Sequence, residues 1–332
     1  MALQRIPNYS YNDAHVLFVL LVFLVIIKGL EKNGFISFIS TRFEHGGYIT
    51  LKLIILTAIL SMFITNDIAL LSIVPFTLSL NIDNKMDVII VETLVANGAS
   101  ALTPFGNPQN LFIYFYYHIN FYDFVITMFP LLVFTLSVAI IMLRKSLKLK
   151  GKEPKYKPYI KEKRESALYV AFFIMFILSV LDLLPLYIGI IPLAYALIFD
   201  REALHVDYAL LLIFIAFFGL TDNIIFVLEI KLESSLLVFL ASALTSQAIS
   251  NVPSALLFVD FTNNWKALLW GVSVGGFGNL IASLANLISY RLYVRKLDNR
   301  REYLIKFHKI GYTVLVLAIL LFYILFSIFP IF

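Results

Sequence analysis

Apolar residues run along this chain in long stretches, without the alternation of a half-buried strand or the single stripe of a soluble helix. A hydrocarbon core of roughly 30 Å takes about 20 helical residues at about 1.5 Å of rise each, so such stretches read as membrane spans. Runs near residues 14–30, 124–143, 167–181, 185–199, 207–230 and 311–330 read as single crossings. Residues 88–119 and 266–294 could each cross once but carry Gly and Asn at mid-length, with Pro in the first, which predicts broken helices. Residues 48–80 are too long for one crossing and too short for two, and Thr65-Asn66-Asp67 sits halfway along. Residues 235–259 carry Ser246-Gln247 and Ser250-Asn251 at mid-length, followed by Pro253. Both segments predict re-entrant hairpins whose tips stop inside the membrane. The predicted fold class is an all-α polytopic membrane protein.

Composition agrees. Of 332 residues, 61% are hydrophobic and 14% charged, far from the soluble norm. The formal charge of +5 is then a topology signal to be taken loop by loop, which makes nucleic acid a poor partner and the lipid bilayer the obvious one. With both hairpins re-entrant, 23 of the 26 basic residues fall in loops on one side, around 28–52, 81–87, 144–166, 200–206 and 291–310. Making 235–259 a full crossing would send the basic residues between Arg291 and Lys309 across, against the positive-inside rule, so the hairpin is preferred. Both termini are then expected outside, with the basic 144–166 linker in the cytoplasm. That linker is either a solvated topology signal or a lipid-binding or regulatory segment. The N-terminus lacks the basic region and cleavage site of a signal peptide, so the first apolar run is expected to stay as a span.

The same order of parts occurs twice. Residues 1–143 give a span, the hairpin 48–80, the broken helix 88–119 and a span. After the linker and two spans over 167–199, residues 200–332 give a span, the hairpin 235–259, the broken helix 266–294 and a span. An odd number of crossings per copy inverts the second relative to the first, an arrangement common in secondary transporters. Residues support the pairing. Thr65-Asn66 and Ser250-Asn251 each precede Ala-Leu-Leu, Phe105-Gly106-Asn107 recurs as Phe277-Gly278-Asn279, and Asn110-Leu111 to Tyr114 recurs as Asn286-Leu287 to Tyr290.

Irregular backbone at mid-membrane depth is tolerated only where it is buried in protein or lines a wet cavity. Two tips and two breaks provide such backbone at one depth. Half-helix N-termini suit an anion, and exposed carbonyls and hydroxyls suit Na⁺. The candidate substrate-binding residues are Thr65, Asn66, Gly106, Asn107, Gln109, Asn110, Ser250, Asn251, Pro253, Gly278 and Asn279. A Na⁺ site is expected near Asn66 and Asn251. The candidate ion-coupling residues are Asp67, Ser100, Thr103 and Asp222. A carboxylate at the bilayer centre costs about 2.5 to 3.5 kcal/mol on insertion scales, which singles out Asp67, whose counterpart region Val252-Pro253 holds no acid. Glu92 and Glu229 are lesser candidates, and Asp222 divides between structure and function. The Gly271 to Gly275 spacing is a packing motif first. The chain has no cysteine, its five histidines are scattered, and no HExxH, GxSxG or Walker loop occurs. No resident cofactor is expected.

These residues resemble the ion transporter superfamily, in the branch of arsenite permeases, citrate-transporter-like proteins and sodium/proton antiporters. The resemblance is carried by Gly29-Leu30-Glu31-Lys32-Asn33-Gly34, by Thr65-Asn66-Asp67 with the following Ala-Leu-Leu and Pro75, by Ala96-Asn97-Gly98, by Gly106-Asn107-Pro108-Gln109-Asn110, and by Ser250-Asn251-Val252-Pro253. It spans essentially the whole chain. It implies that tip and break residues bind substrate and coupling ion between the repeats, and that a transport part moves as an elevator against a dimeric scaffold. The chain departs from the family in two ways. It is expected to lack the extra spans that often precede the first repeat, and it carries Asp67 where dicarboxylate-transporting relatives have a small hydroxyl residue. The expected function is secondary transport of a small anion or oxyanion (arsenite, citrate or dicarboxylate class) coupled to Na⁺ or H⁺. The alternative is a Na⁺/H⁺ antiporter with Asp67 as the exchanging carboxylate. More remote are a passive channel and an intramembrane enzyme using Asp67 and Asp222 as an acid pair.

Overall fold

The computed structural model describes residues 7–35, 38–39, 48–80, 82, 84–144, 163–228 and 231–328. Among them are fourteen α-helices and no strand. In chain order the first six are α1 (Tyr11–Lys32), α2 (Ile49–Ile64), α3 (Asn66–Ser79), α4 (Lys85–Ser100), α5 (Pro108–Tyr116) and α6 (Phe121–Leu143). Then come α7 (Lys163–Val180), α8 (Ile190–Phe199), α9 (Tyr208–Leu228) and α10 (Ser235–Ile249). The last four are α11 (Asn251–Phe258), α12 (Trp265–Gly275), α13 (Leu284–Lys296) and α14 (Arg300–Ile328). Four helices, Tyr11–Lys32, Phe121–Leu143, Arg201–Ile224 and Arg300–Phe326, are long and apolar enough to cross a membrane by length and composition.

Each expected hairpin is a pair of helices broken at one residue, α2 and α3 at Thr65, α10 and α11 at Ser250. Each expected broken helix is a pair separated by irregular backbone, α4 and α5 across residues 101–107, α12 and α13 across 276–283. The expected span over 185–199 is a 3-10 turn, Leu186–Gly189, followed by the ten residues of α8. The basic stretch 291–310 is more regular than a loop. α13 runs to Lys296 and α14 starts at Arg300, as good helix formers such as Arg, Lys, Glu and Leu permit. Most of the basic linker, residues 145–162, and Glu229 lie outside the described residues.

The chain divides into two compact units, residues 1–42 with 156–223, and 43–155 with 224–332. In the first, Ser10 and Asp13 form a capping box that starts α1. α1 packs on α7 and α8, and its C-terminal Lys32 pairs with the buried Asp200, which also accepts from the Tyr169 hydroxyl at 2.7 Å. Asn33 Nδ2 donates to the Gly29 carbonyl at 2.9 Å. The Gly29 to Gly34 stretch, singled out in the sequence, therefore ties the end of α1 to α7 and the end of α8.

In the second unit, α12 lies against α10 with its two glycines inward. A methyl on Gly271 would stand 1.9 Å from Ser242 Oγ and one on Gly275 2.6 Å from Ser246 Cβ, so this spacing serves close helix packing. Trp270 on α12 is fully buried and donates to the Thr127 carbonyl of α6 at 2.9 Å, which meets the one polar need of a buried indole. Phe239 of α10 stacks on Phe322 of α14 with ring centroids 3.8 Å apart. Both hairpins and both broken helices belong to this second unit.

Candidate functional site

The hairpin tips share one backbone solution. Thr65 (φ 75°, ψ 148°) and Ser250 (φ 78°, ψ 159°) both adopt a left-handed φ that few non-glycine residues tolerate, which ends one helix and starts the next. Thr65 Oγ1 accepts from the Ile68 N–H at 3.4 Å, and Ser250 Oγ donates to Asn251 Oδ1 at 3.4 Å. Asn66 and Asn251, each the first residue of its helix, are buried. Pro253 falls in the first turn of α11, where its missing N–H costs nothing. Asp67 is half-buried in the first turn of α3, and its N–H donates to Asn66 Oδ1 at 2.9 Å.

The helix breaks are stitched in matching ways. Asn110 Nδ2 donates to the carbonyls of Ser100 and Thr103, ten and seven residues earlier, at 3.0 and 3.1 Å. Asn286 Nδ2 donates to the carbonyls of Gly276 and Asn279, again ten and seven residues earlier, at 2.9 and 2.8 Å. Each amide thus ties a carbonyl at the end of the first helix to one within the break. This geometry corrects the pairing by Phe-Gly-Asn. Asn279 stands where Thr103 stands, and Asn107 matches Ser283, the residues at which α5 and α13 begin with φ −154° and −148°. Gly106 and Gly278 are therefore glycines for separate reasons. A methyl on Gly106 would lie 2.0 Å from the Ser100 carbonyl oxygen, and one on Gly278 1.8 Å from Gln247 Oε1.

The remaining expected residues divide by what they touch. Asn107 Nδ2 donates to Ser100 Oγ at 2.6 Å, Ser100 Oγ donates to the Asn97 carbonyl at 2.9 Å, and the Thr103 hydroxyl donates to the Met62 carbonyl of α2. Asn279 serves its own turn: its Oδ1 accepts from the N–H of Ile281 and Ala282, and its Nδ2 donates to the Gln247 carbonyl at 2.9 Å. Gln109 Nε2 and Asn110 Oδ1 are buried and have no hydrogen-bond partner among the described residues. Asp222 belongs to the first unit, where it accepts from the Asn8 N–H at 2.9 Å.

The residue that joins the parts is one that sequence reasoning placed in a motif but not in the site. Asn97 Oδ1 accepts from Asn66 Nδ2 of the first tip at 2.9 Å and from Ser283 Oγ of the second break at 2.9 Å. Its Nδ2 donates to Asn286 Oδ1 at 2.7 Å. A methyl on Gly276 would stand 3.5 Å from Asn251 Nδ2 and 3.6 Å from Asn97 Oδ1, so the second tip reaches the same spot. Asn251 N–H also donates to the Ala282 carbonyl at 3.0 Å. Both tips and both breaks meet at Asn97 and Gly276. The available signal was an amide flanked by the small residues Ala96 and Gly98 in a predicted broken helix.

Comparison with known proteins agrees with this architecture. The model of the citrate transporter family matches residues 3–275. An uncharacterized transporter of Methanocaldococcus jannaschii is 38% identical over 288 residues, covering 83% of this chain and 80% of the relative. Inner membrane protein YbiR of Escherichia coli is 31% identical, over 96% of this chain and 89% of its own length. Silicon efflux transporter LSI3 of Oryza sativa subsp. japonica is 26% identical over 41% of this chain and 29% of its own. The broken helices and the buried amide junction are thus those of a multi-pass membrane protein that handles a small-molecule or ionic substrate, a secondary transporter of the anion class and not an enzyme, and the chain belongs to the citrate transporter family.

Proposed function

We propose that the chain moves a small anion or oxyanion, of the citrate, dicarboxylate or arsenite class, against its gradient by coupling to Na⁺ or H⁺. The observation that carries this reading is the meeting of two hairpin tips and two helix breaks around Asn97 and Gly276. Four helices, α3, α11, α5 and α13, begin around this junction, and their N-terminal amides and dipoles suit a negative charge. Thr65, Asn66, Ser250 and Asn251 would contact cargo, with Na⁺ near the two asparagines, where hydroxyls and carbonyls offer hard oxygen donors. Gln109 and Asn110, each with a buried amide atom lacking a partner among the described residues, would turn those atoms to cargo. The second unit would move as an elevator body and the first would anchor it, in a dimer. The matching topology has repeats over 1–143 and 200–332 in opposite orientation, both termini outside and the 144–166 linker in the cytoplasm.

The family is named for citrate and one relative for silicon, so the reading is of a cargo class. Accumulation of arsenite, citrate or succinate by proteoliposomes under a Na⁺ or H⁺ gradient is the expected result. No gradient-driven flux of any of them would overturn the reading. A second reading, Na⁺/H⁺ exchange, is favoured by one observation, the carboxylate of Asp67 in the first turn of α3 where α11 has Val252. It expects Na⁺-dependent proton movement without an organic solute, abolished by Asp67→Asn.

A further inference from the structure

One buried acid remains that neither tip nor break employs. Glu92 lies in α4, seven residues from its start, and is fully buried. Thr77 Oγ1 of α3 donates to Glu92 Oε1 at 2.6 Å. Oε2 is buried with no hydrogen-bond partner among the described residues.

The charged groups around it are spoken for or stand elsewhere. α3 offers Thr77 and, ten residues away at the tip, Asp67; α2 carries Lys52 in its first turn. α6 and α12 carry Asp123 and Lys266 at their starts. α13 brings Tyr290, Arg291 and Tyr293, while on α14 Lys306 is engaged with Asp87. Among the described residues no cationic side chain pairs with Glu92. The titratable side chain within its electrostatic reach is the fully buried Tyr303, whose hydroxyl meets Ser289 Oγ at 3.4 Å. An ionised carboxylate in such surroundings carries a desolvation cost that no partner repays, and such groups hold a proton instead.

A route to water lies nearby. A cavity of about 380 Å³ is lined by Met86, Asp87, Tyr293, Glu302 and Lys306. Asp87 precedes Glu92 by five residues, roughly 7.5 Å along the helix axis. Tyr293 lies over Tyr303 with ring centroids 4.6 Å apart, so a tyrosine pair stands between the cavity and the interior.

We propose that Glu92 is the proton-binding site of this transporter, neutral while buried with the proton on Oε2, and that the coupling proton binds and leaves here. Binding converts the carboxylate to the carboxylic acid and release returns it, with Thr77 donating to Oε1 in both states. The proposal deepens the anion-transport reading and rests on it, because it names H⁺ as the coupling ion and places its site one helical limb away from the cargo.

Infrared spectroscopy and flux on the full-length protein in liposomes test it together. The wild type shows a carboxylic-acid C=O band in membranes buffered near neutral pH, and Glu92→Gln lacks it. Flux under a pH gradient falls at least about tenfold in Glu92→Gln, and what remains ignores the gradient. Thr77→Val removes the donor that favours the carboxylate, so its pH profile for proton binding moves up by about one unit, which a purely structural role would not do. A wild type without the band, a band unchanged in Glu92→Gln, or full pH drive in that variant overturns the proposal. If Glu92→Gln fails to fold, the wild-type band and the Thr77→Val profile decide it, and an unmoved profile overturns it. If no solute moves in the wild type, the anion-transport reading fails, while the band still decides whether Glu92 holds a proton.

Discussion

The two helix breaks are built on one frame and filled with different chemistry. In both, an asparagine one turn into the second helix bonds the carbonyls ten and seven residues behind it. The acceptor ends of these amides differ: Asn286 Oδ1 receives Asn97 Nδ2, whereas Asn110 Oδ1 has no partner among the described residues. By the same register Ser273 stands in the second copy where Asn97 stands in the first, and its hydroxyl likewise lacks a partner among the described residues. The tips differ too, with Asp67 opposite Val252. The frame serves to hold a break open, and the asymmetry puts the crosslinking amide, Asn97, and the unclaimed amide atoms of Gln109 and Asn110 in the same, first copy.

That contrast can be broken by mutation. Asn97→Ala strands Asn66, Ser283 and Asn286 at once and costs about 2 to 3 kcal/mol, whereas Ser273→Ala costs close to nothing. Melting temperatures of the two variants in detergent check this, and equal losses would erase the distinction. The glycines give the next largest effect. Gly106→Ala drives a methyl into the Ser100 backbone carbonyl and costs about 2 kcal/mol or more, while Gly278→Ala meets only the end of the Gln247 side chain, which can swing aside. A smaller difference separates Asn286→Ala from Asn110→Ala. Both lose two carbonyl bonds, but the first also removes the bond from Asn97 Nδ2, which keeps only the Thr93 carbonyl, adding about 1 kcal/mol.

How much of this was legible in the sequence follows from the kind of interaction. The helix pairs were, because Thr65-Asn66-Asp67 interrupts an apolar run that fits no whole number of crossings, and Ser250-Asn251 interrupts one whose full crossing would send the basic residues beyond it to the wrong side. The structure sets their corners at Thr65 and Ser250. The Asn110 to Asn286 match was also legible and proved geometrically apt. The Phe-Gly-Asn match was not a guide, since Asn279 takes the place of Thr103 and its side chain is taken up by its own turn and by the Gln247 carbonyl. Asn97 escaped because spacing along a helix does not reveal which distant amides it meets, here 31, 186 and 189 residues away. Glu92 was only a lesser candidate within a broken helix, and packing is what shows it fully buried with one oxygen unclaimed.

The proposed topology admits a check that leaves stability alone. The chain has no cysteine, so single cysteines can be placed at Asn8 and Asp298. In intact cells an impermeant maleimide should label the first and spare the second. Labelling of Asp298→Cys from outside would reverse the proposed orientation.

The central claim is that cargo is held where the two tips meet the breaks, and thermal stabilisation by small anions tests it most directly. At about a hundredfold excess over Kd a ligand that binds only the folded protein adds about 2.7 kcal/mol, well within reach of a melting curve. At least one of arsenite, citrate and succinate should raise the melting temperature of the wild type, with Na⁺ or at low pH, and the shift should vanish in both Asn66→Ala and Asn251→Ala. A shift that survives unchanged in both variants would place the cargo elsewhere and contradict the account.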